Sequence, residues 1–181
     1  MKIAVLGAGA WGTALAISLA ERHEVTLWAR DGAQVAAMRE TRRNRRYLPD
    51  IALPGNLALD DDLHAVLGRV ELIVLAVPVS GLRTTLQQIA TLAAPVGVIW
   101  LCKGFETETS LLPHQIVNEI LPPAFPRGAL TGPSFAQEVA RGLPTALTLA
   151  SNDSEFAQRT AKTLHHSRLR IYSSTDVVGV E

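Results

Sequence analysis

Lys2-Ile3-Ala4-Val5-Leu6-Gly7-Ala8-Gly9-Ala10-Trp11-Gly12-Thr13-Ala14-Leu15 opens the chain, and the fold follows from how these residues are read. Lys2 to Leu6 is a short apolar run stopped by glycine, as expected of a strand buried on both faces. From Thr13 to Arg22, Ala14, Leu15, Ser18 and Leu19 recur at helical spacing, which predicts an amphipathic helix. The hexapeptide between them is G-x-G-x-x-G. Alone it is a weak signal, but between a strand and a helix it marks a dinucleotide-binding turn. Gly7 permits the tight bend, Gly9 lets a pyrophosphate approach the backbone, and Gly12 lets helix and strand pack closely. Unpaired N–H groups at the helix start, aided by the helix dipole, donate to phosphate oxygens.

Ile3 to Ala20 could also be read as a leader or a marginal membrane span, since it is apolar apart from Thr13 and Ser18 and follows Lys2. Three glycines in the middle of the run argue for a turn instead. A cytoplasmic location is the expectation.

Outward from this unit the pattern repeats. Strands are predicted at Val25–Trp28, Leu72–Val77, Val96–Cys102, Ala129–Thr131, Thr145–Ala150 and Leu169–Tyr172. Helices are predicted after Asp31, with Val35 and Met38 inward, and from Asp60-Asp61-Asp62 through Leu67. Others follow over Ser80–Leu92, Leu111–Ile120, Phe135–Ala140 and Asp153–His165. The prolines of Leu48-Pro49 and Leu53-Pro54-Gly55 predict an irregular connection. Strands alternating with helices specify an α/β domain, a parallel sheet with helices on both faces. Ligands in such sheets bind beyond the C-terminal strand ends, where the strand order reverses.

Composition agrees with one folded unit. The chain has 181 residues, 48% of them hydrophobic and 19% charged, which excludes an intrinsically disordered chain. Seventeen basic residues balance seventeen acidic ones, so no bulk attraction to nucleic acid or to an anionic membrane is implied. The single Cys102 excludes an internal disulfide and, inside an apolar strand, reads as an inert thiol. His165-His166 reads as a solvated helix end; no metal site is expected.

The second strand ends in Trp28-Ala29-Arg30-Asp31. An NAD site usually places an acid there for the ribose hydroxyls, whereas Arg30 suits a 2′-phosphate and Asp31 can cap the next helix. NADP is therefore favoured over NAD, with dual use open. Arg39, Arg42, Arg43, Arg45 and Arg46 read as a solvated helix end, one of which could assist Arg30. Lys103, beside Gly104 at a strand end, is a compact cation suited to a phosphate or a developing alkoxide. A plain surface lysine is the alternative. Thr131-Gly132-Pro133-Ser134 repeats the strand–glycine–helix pattern, and Ser134 either caps that helix or meets an anionic substrate.

Taken together these segments resemble the soluble bacterial type of NAD(P)-dependent glycerol-3-phosphate dehydrogenase. The resemblance rests on Gly7–Ala16, Leu27-Trp28-Ala29-Arg30, Tyr47-Leu48-Pro49 and Cys102-Lys103-Gly104-Phe105-Glu106. It continues in Thr131–Ala136, Gly142-Leu143-Pro144-Thr145 and the stretch from Tyr172 to Glu181. It implies a doubly wound, Rossmann-type NAD(P)-binding domain over residues 1–181. Ala10, Trp11, Arg30, Lys103 and Ala136 would contact the cofactor, and Lys103, Gly132 and Ser134 would hold glycerol phosphate. The implied reaction interconverts sn-glycerol 3-phosphate and dihydroxyacetone phosphate for phospholipid synthesis, in a homodimer. The family's helical second domain, with its general acid/base lysine, would lie beyond Glu181, so cofactor binding with negligible turnover is expected. Two alternatives stay open: another two-domain dehydrogenase acting on a hydroxy acid or sugar acid, and a non-catalytic NAD(P)-sensing module.

Overall fold

A computed structural model describes residues 1–181. Its strands are β1 (Lys2–Leu6), β2 (Glu24–Trp28), β3 (Arg43–Asn44), β4 (Leu48–Ala52), β5 (Ala58–Asp60), β6 (Leu72–Leu75), β7 (Gly97–Trp100), β8 (Arg127–Thr131), β9 (Thr145–Ala150) and β10 (Leu169–Ser174). Its helices are α1 (Ala10–Leu19), α2 (Gly32–Thr41), α3 (Leu63–Leu67), α4 (Val79–Leu92), α5 (Pro113–Ile120), α6 (Ala136–Ala140) and α7 (Ser154–Leu164).

Eight strands form one sheet in the order β10-β9-β8-β7-β6-β1-β2-β5. Six run parallel, from β5 to β8, as the alternating pattern predicts. The last two correct that reading: β9 is antiparallel to β8, and β10 runs parallel to β9. A parallel return needs a crossover helix against the sheet, but the short α6 packs on α1 instead.

Alternation along β1 divides the core. Ile3 and Val5 join an apolar cluster with α1, α2, α6 and α7, while Ala4 and Leu6 join another with α3, α4 and α5. The sheet is thus covered on both faces, which is why β6 and β7 are apolar and buried at every position.

The proline-rich connection is not wholly irregular. Asn44 and Leu48 pair in the hairpin β3–β4. The basic cluster is not simply solvated either. Arg42, left-handed at φ 48°, ends α2 and donates to the Pro54 and Leu57 carbonyls. Arg43 donates to Pro49 O, and Arg39 reaches Leu59 O at 2.7 Å beside Asp60. His166 likewise departs from expectation: it is buried with Nε2 3.1 Å from Ser18 Oγ, and burial lowers its pKa.

Candidate functional site

The strand order reverses between β1 and β6. From β1 the chain moves outward to β2 and β5, then returns to β6 on the other side. Such a switch point is where an open α/β sheet forms a crevice. Here a cleft of about 650 Å³ lies beyond the strand ends, lined by Gly7, Ala8 and Gly9, by Arg30 and Asp31, and by Val77 and Pro78 among others.

The three glycines have separable physical roles. Gly7 sits at φ +117°, and a Cβ there would come within 2.6 Å of the Ala76 carbonyl oxygen. A Cβ on Gly12 would collide with the Gly7 carbonyl oxygen and press on Ala76 Cβ at 2.8 Å. Gly9 is different: its backbone is extended, at φ −77° and ψ −173°, and a Cβ there would meet nothing within 4 Å. Two glycines let the turn close; the third faces open space.

Gly9 is the N-cap of α1, with no side-chain cap and no acidic residue in the first turn. Its carbonyl accepts from Thr13 N–H at 3.0 Å, but the preceding donors of the first turn lack intrahelical partners, as at any helix start. Opposite, α4 begins after Pro78, also without a side-chain cap. Both helix starts flank the cleft, and both offer N–H groups to an anion.

At the β2 end, Asp31 accepts from Ala33 N–H at 3.0 Å and Gln34 N–H at 3.3 Å, so its carboxylate is engaged as the α2 cap. Arg30 is exposed and forms no ion pair. Arg46, on the β3–β4 turn, also lines the cleft, its guanidinium 5.3 Å from the centre of the Tyr47 ring. Two cations at this end fit a phosphorylated ribose better than a bare one.

The remaining predicted residues lie farther along the same sheet edge. Strand β7 stops at Trp100, two residues short of the predicted end, so Lys103 stands on the following loop, exposed beside Gly104 at φ +88°. Glu106 anchors that loop to α4 through a bidentate pair with Arg83, whose nearest contacts are 2.8 and 2.9 Å. Hydrogen bonds from Arg83, then from Thr109, hold the Glu106 carboxyl down at about 2. This anchor carried no distinguishing signal in the sequence. Burial pushes the Cys102 thiol up to about 12, which keeps it a poor nucleophile.

Gly132 and Ser134 follow β8, the next strand over. A Cβ on Gly132 would press on the Ala146 carbonyl oxygen at 2.5 Å. Ser134 does not cap α6; the N-cap is Phe135, whose N–H donates to Glu138 Oε2 at 3.3 Å. The Ser134 hydroxyl is therefore not consumed by a cap. Ala136 opens α6, and it and Trp11 lean on the apolar cluster shared with α1. Ala10 and Trp11 are in the first turn of α1 rather than on the cleft wall. Phe105, Phe135 and Leu143 add exposed apolar surface to this part of the molecule.

No helix is long and apolar enough to cross a membrane. The sequence model of a family described as "NAD-dependent glycerol-3-phosphate dehydrogenase N-terminus" matches residues 2–157. A relative from Thiobacillus denitrificans, named glycerol-3-phosphate dehydrogenase [NAD(P)+], is 57% identical over the whole of this chain, which covers 55% of that protein. One from Nitrosomonas europaea with the same name is 53% identical with the same coverage. The crystal structure of glycerol-3-phosphate dehydrogenase from Coxiella burnetii superposes with a TM-score of 0.92 at 38% identity, over 99% of this chain and 55% of that one. The chain thus spans about half the length of the relatives it matches.

Proposed function

The chain belongs to the NAD-dependent glycerol-3-phosphate dehydrogenase N-terminal family, and on that premise we propose that it is the cofactor-binding half of an enzyme interconverting sn-glycerol 3-phosphate and dihydroxyacetone phosphate. The observation that carries the reading is the open helix start at Gly9, set on the switch-point cleft. Gly7, Gly9 and Gly12 shape the turn, while Ala10 and Trp11 contribute the first N–H groups of α1 to the pyrophosphate. Arg30, assisted by Arg46, holds the 2′-phosphate and makes NADP the favoured cofactor over NAD. Ala136, at the start of α6, closes the cofactor site from the β8 side.

Bound nicotinamide supplies the hydride. Lys103 places a cationic donor beside the substrate carbonyl oxygen and stabilises the alkoxide formed on reduction. It touches cofactor and substrate alike, since β7 lies between the cofactor turn and the β8 loop. Gly132 and Ser134 receive the small phosphorylated substrate, with no nucleic acid and no inserted membrane segment involved. The relatives are nearly twice as long as this chain, and turnover requires the portion they carry in addition, a helical domain with the general acid/base. The exposed Phe105, Phe135 and Leu143 are suited to contact it. Residues 1–181 bind cofactor without turnover; the whole enzyme is a cytoplasmic homodimer serving phospholipid synthesis.

Titration of the chain with NADPH and NADH, followed by tryptophan fluorescence, tests this. NADPH should bind at least tenfold more tightly, and Arg30→Ala should erase most of that preference. Failure of either dinucleotide to bind would overturn the cofactor reading; equal affinities would overturn the role of Arg30.

A further inference from the structure

Behind the phosphate-binding turn lies a side chain that the cofactor cannot touch. Asn44, in β3, is only 1% exposed and takes no part in the cleft wall. Its Nδ2 donates to Ala8 O at 3.0 Å and to Thr13 Oγ1 at 2.8 Å. The orientation of the amide is fixed by its neighbours, because a carbonyl oxygen can only accept and so must face the NH2 end. From α2, Gln34 Nε2 donates to the same Ala8 oxygen at 2.9 Å. Two side-chain amides thus converge on one peptide carbonyl of the G-x-G segment.

In a planar trans peptide, the C=O and the following N–H point in opposite directions. Holding Ala8 O between the buried Asn44 and Gln34 of the cleft wall therefore turns the Gly9 N–H the opposite way, on the residue that faces open space. That N–H has no hydrogen-bond partner within the chain. The second Nδ2 hydrogen fastens the same amide to Thr13, one turn into α1, so turn and helix are oriented together. Asn44 Oδ1 is buried without a partner. A buried orphan acceptor costs free energy, so the residue is better explained by what its NH2 group does than by packing.

We propose that Asn44 is a positioning residue for cofactor binding: it sets the plane of the Ala8–Gly9 peptide so that the Gly9 N–H meets the dinucleotide phosphate. The proposal rests on the dinucleotide reading of the cleft. It also explains why the β3–β4 hairpin, which carries Arg46 to the rim, is rooted at the turn.

The test is NADPH titration of the 181-residue chain and its Asn44→Ala variant, at a temperature where circular dichroism shows both folded. Leu164→Ala serves as a control, since it opens a cavity in α7 away from the turn. Asn44→Ala should weaken NADPH at least tenfold, and Leu164→Ala less than twofold. Unchanged NADPH affinity in folded Asn44→Ala overturns the proposal, as does equal weakening by both variants, which would mark a general stability effect. Should Asn44→Ala fail to fold, Thr13→Val replaces it, removing one Nδ2 acceptor while keeping the side-chain shape. A twofold to threefold loss is then expected, and no loss overturns the proposal. A wild-type chain that binds no NADPH would sink the cofactor reading and the role of Asn44 with it, whereas wild-type binding unaffected by Asn44→Ala sinks the latter alone.

Discussion

Helices α1 and α3 begin in opposite ways. At α3, Asp62 Oδ1 accepts from His64 N–H at 3.0 Å and Ala65 N–H at 3.2 Å, so the chain closes its own helix start with a carboxylate. Asp31 and Asp153 do the same for α2 and α7. At α1 the corresponding position is Gly9, which offers no side chain, and no acid occupies the first turn. A carboxylate there would satisfy the donors but repel a phosphate. The difference teaches that helix capping in this protein is selective. Aspartate closes the starts of α2, α3 and α7, whereas α1 and α4, which flank the β1–β6 switch point, carry no side-chain cap and leave N–H groups for an external anion.

The contrast can be broken within α1 itself, where Gly12 belongs to the fold and Gly9 to the ligand. Gly12→Ala should be the most damaging change, since its methyl runs into the Gly7 carbonyl and Ala76. A loss of about 3 kcal/mol, at the upper end for overpacking, is expected in urea unfolding. A stable Gly12→Ala chain would refute the close approach of helix and strand. Asp62→Ala sharpens the contrast from the other side. It should cost about 1 kcal/mol, as for a lost cap, and leave NADPH affinity unchanged. A change in NADPH affinity on loss of this cap, which is not on the cleft wall, would remove the distinction between the two kinds of helix start.

Much of this was legible in the sequence because it is local. The strand–glycine–helix unit at Lys2–Leu19, the cap Asp31, and the apolar strands Leu72–Leu75 and Gly97–Trp100 all carry their signals within a few residues. What escaped depends on partners distant in the chain. Strand β5 has a single buried residue, Leu59, and exists as a strand because Thr26 to Trp28 pair with it. The antiparallel direction of β9 goes with the short α6 packing on α1 instead of crossing over the sheet. Arg42 and Arg43 looked like solvated charge because their acceptors, carbonyls of the following connection, have no sequence signature.

The same limit holds at the site. The glycine motif and Arg30 stood out in the sequence, and the structure puts them on one cleft. Lys103, Gly132 and Ser134 are aligned along the sheet edge only because β6, β7 and β8 are neighbours. The freedom of the Ser134 hydroxyl emerged from the structure, where Phe135 takes the N-cap position. Asn44 gave no signal at all, because its importance lies in a carbonyl 36 positions earlier.

The decisive measurement is a paired one on Gly9→Ala: NADPH affinity by fluorescence titration and stability by urea unfolding. With open space around the new methyl, unfolding should change by no more than about 1 kcal/mol, while NADPH binding weakens at least tenfold. Full NADPH affinity in that variant would contradict the claim that a dinucleotide phosphate rests on this helix start.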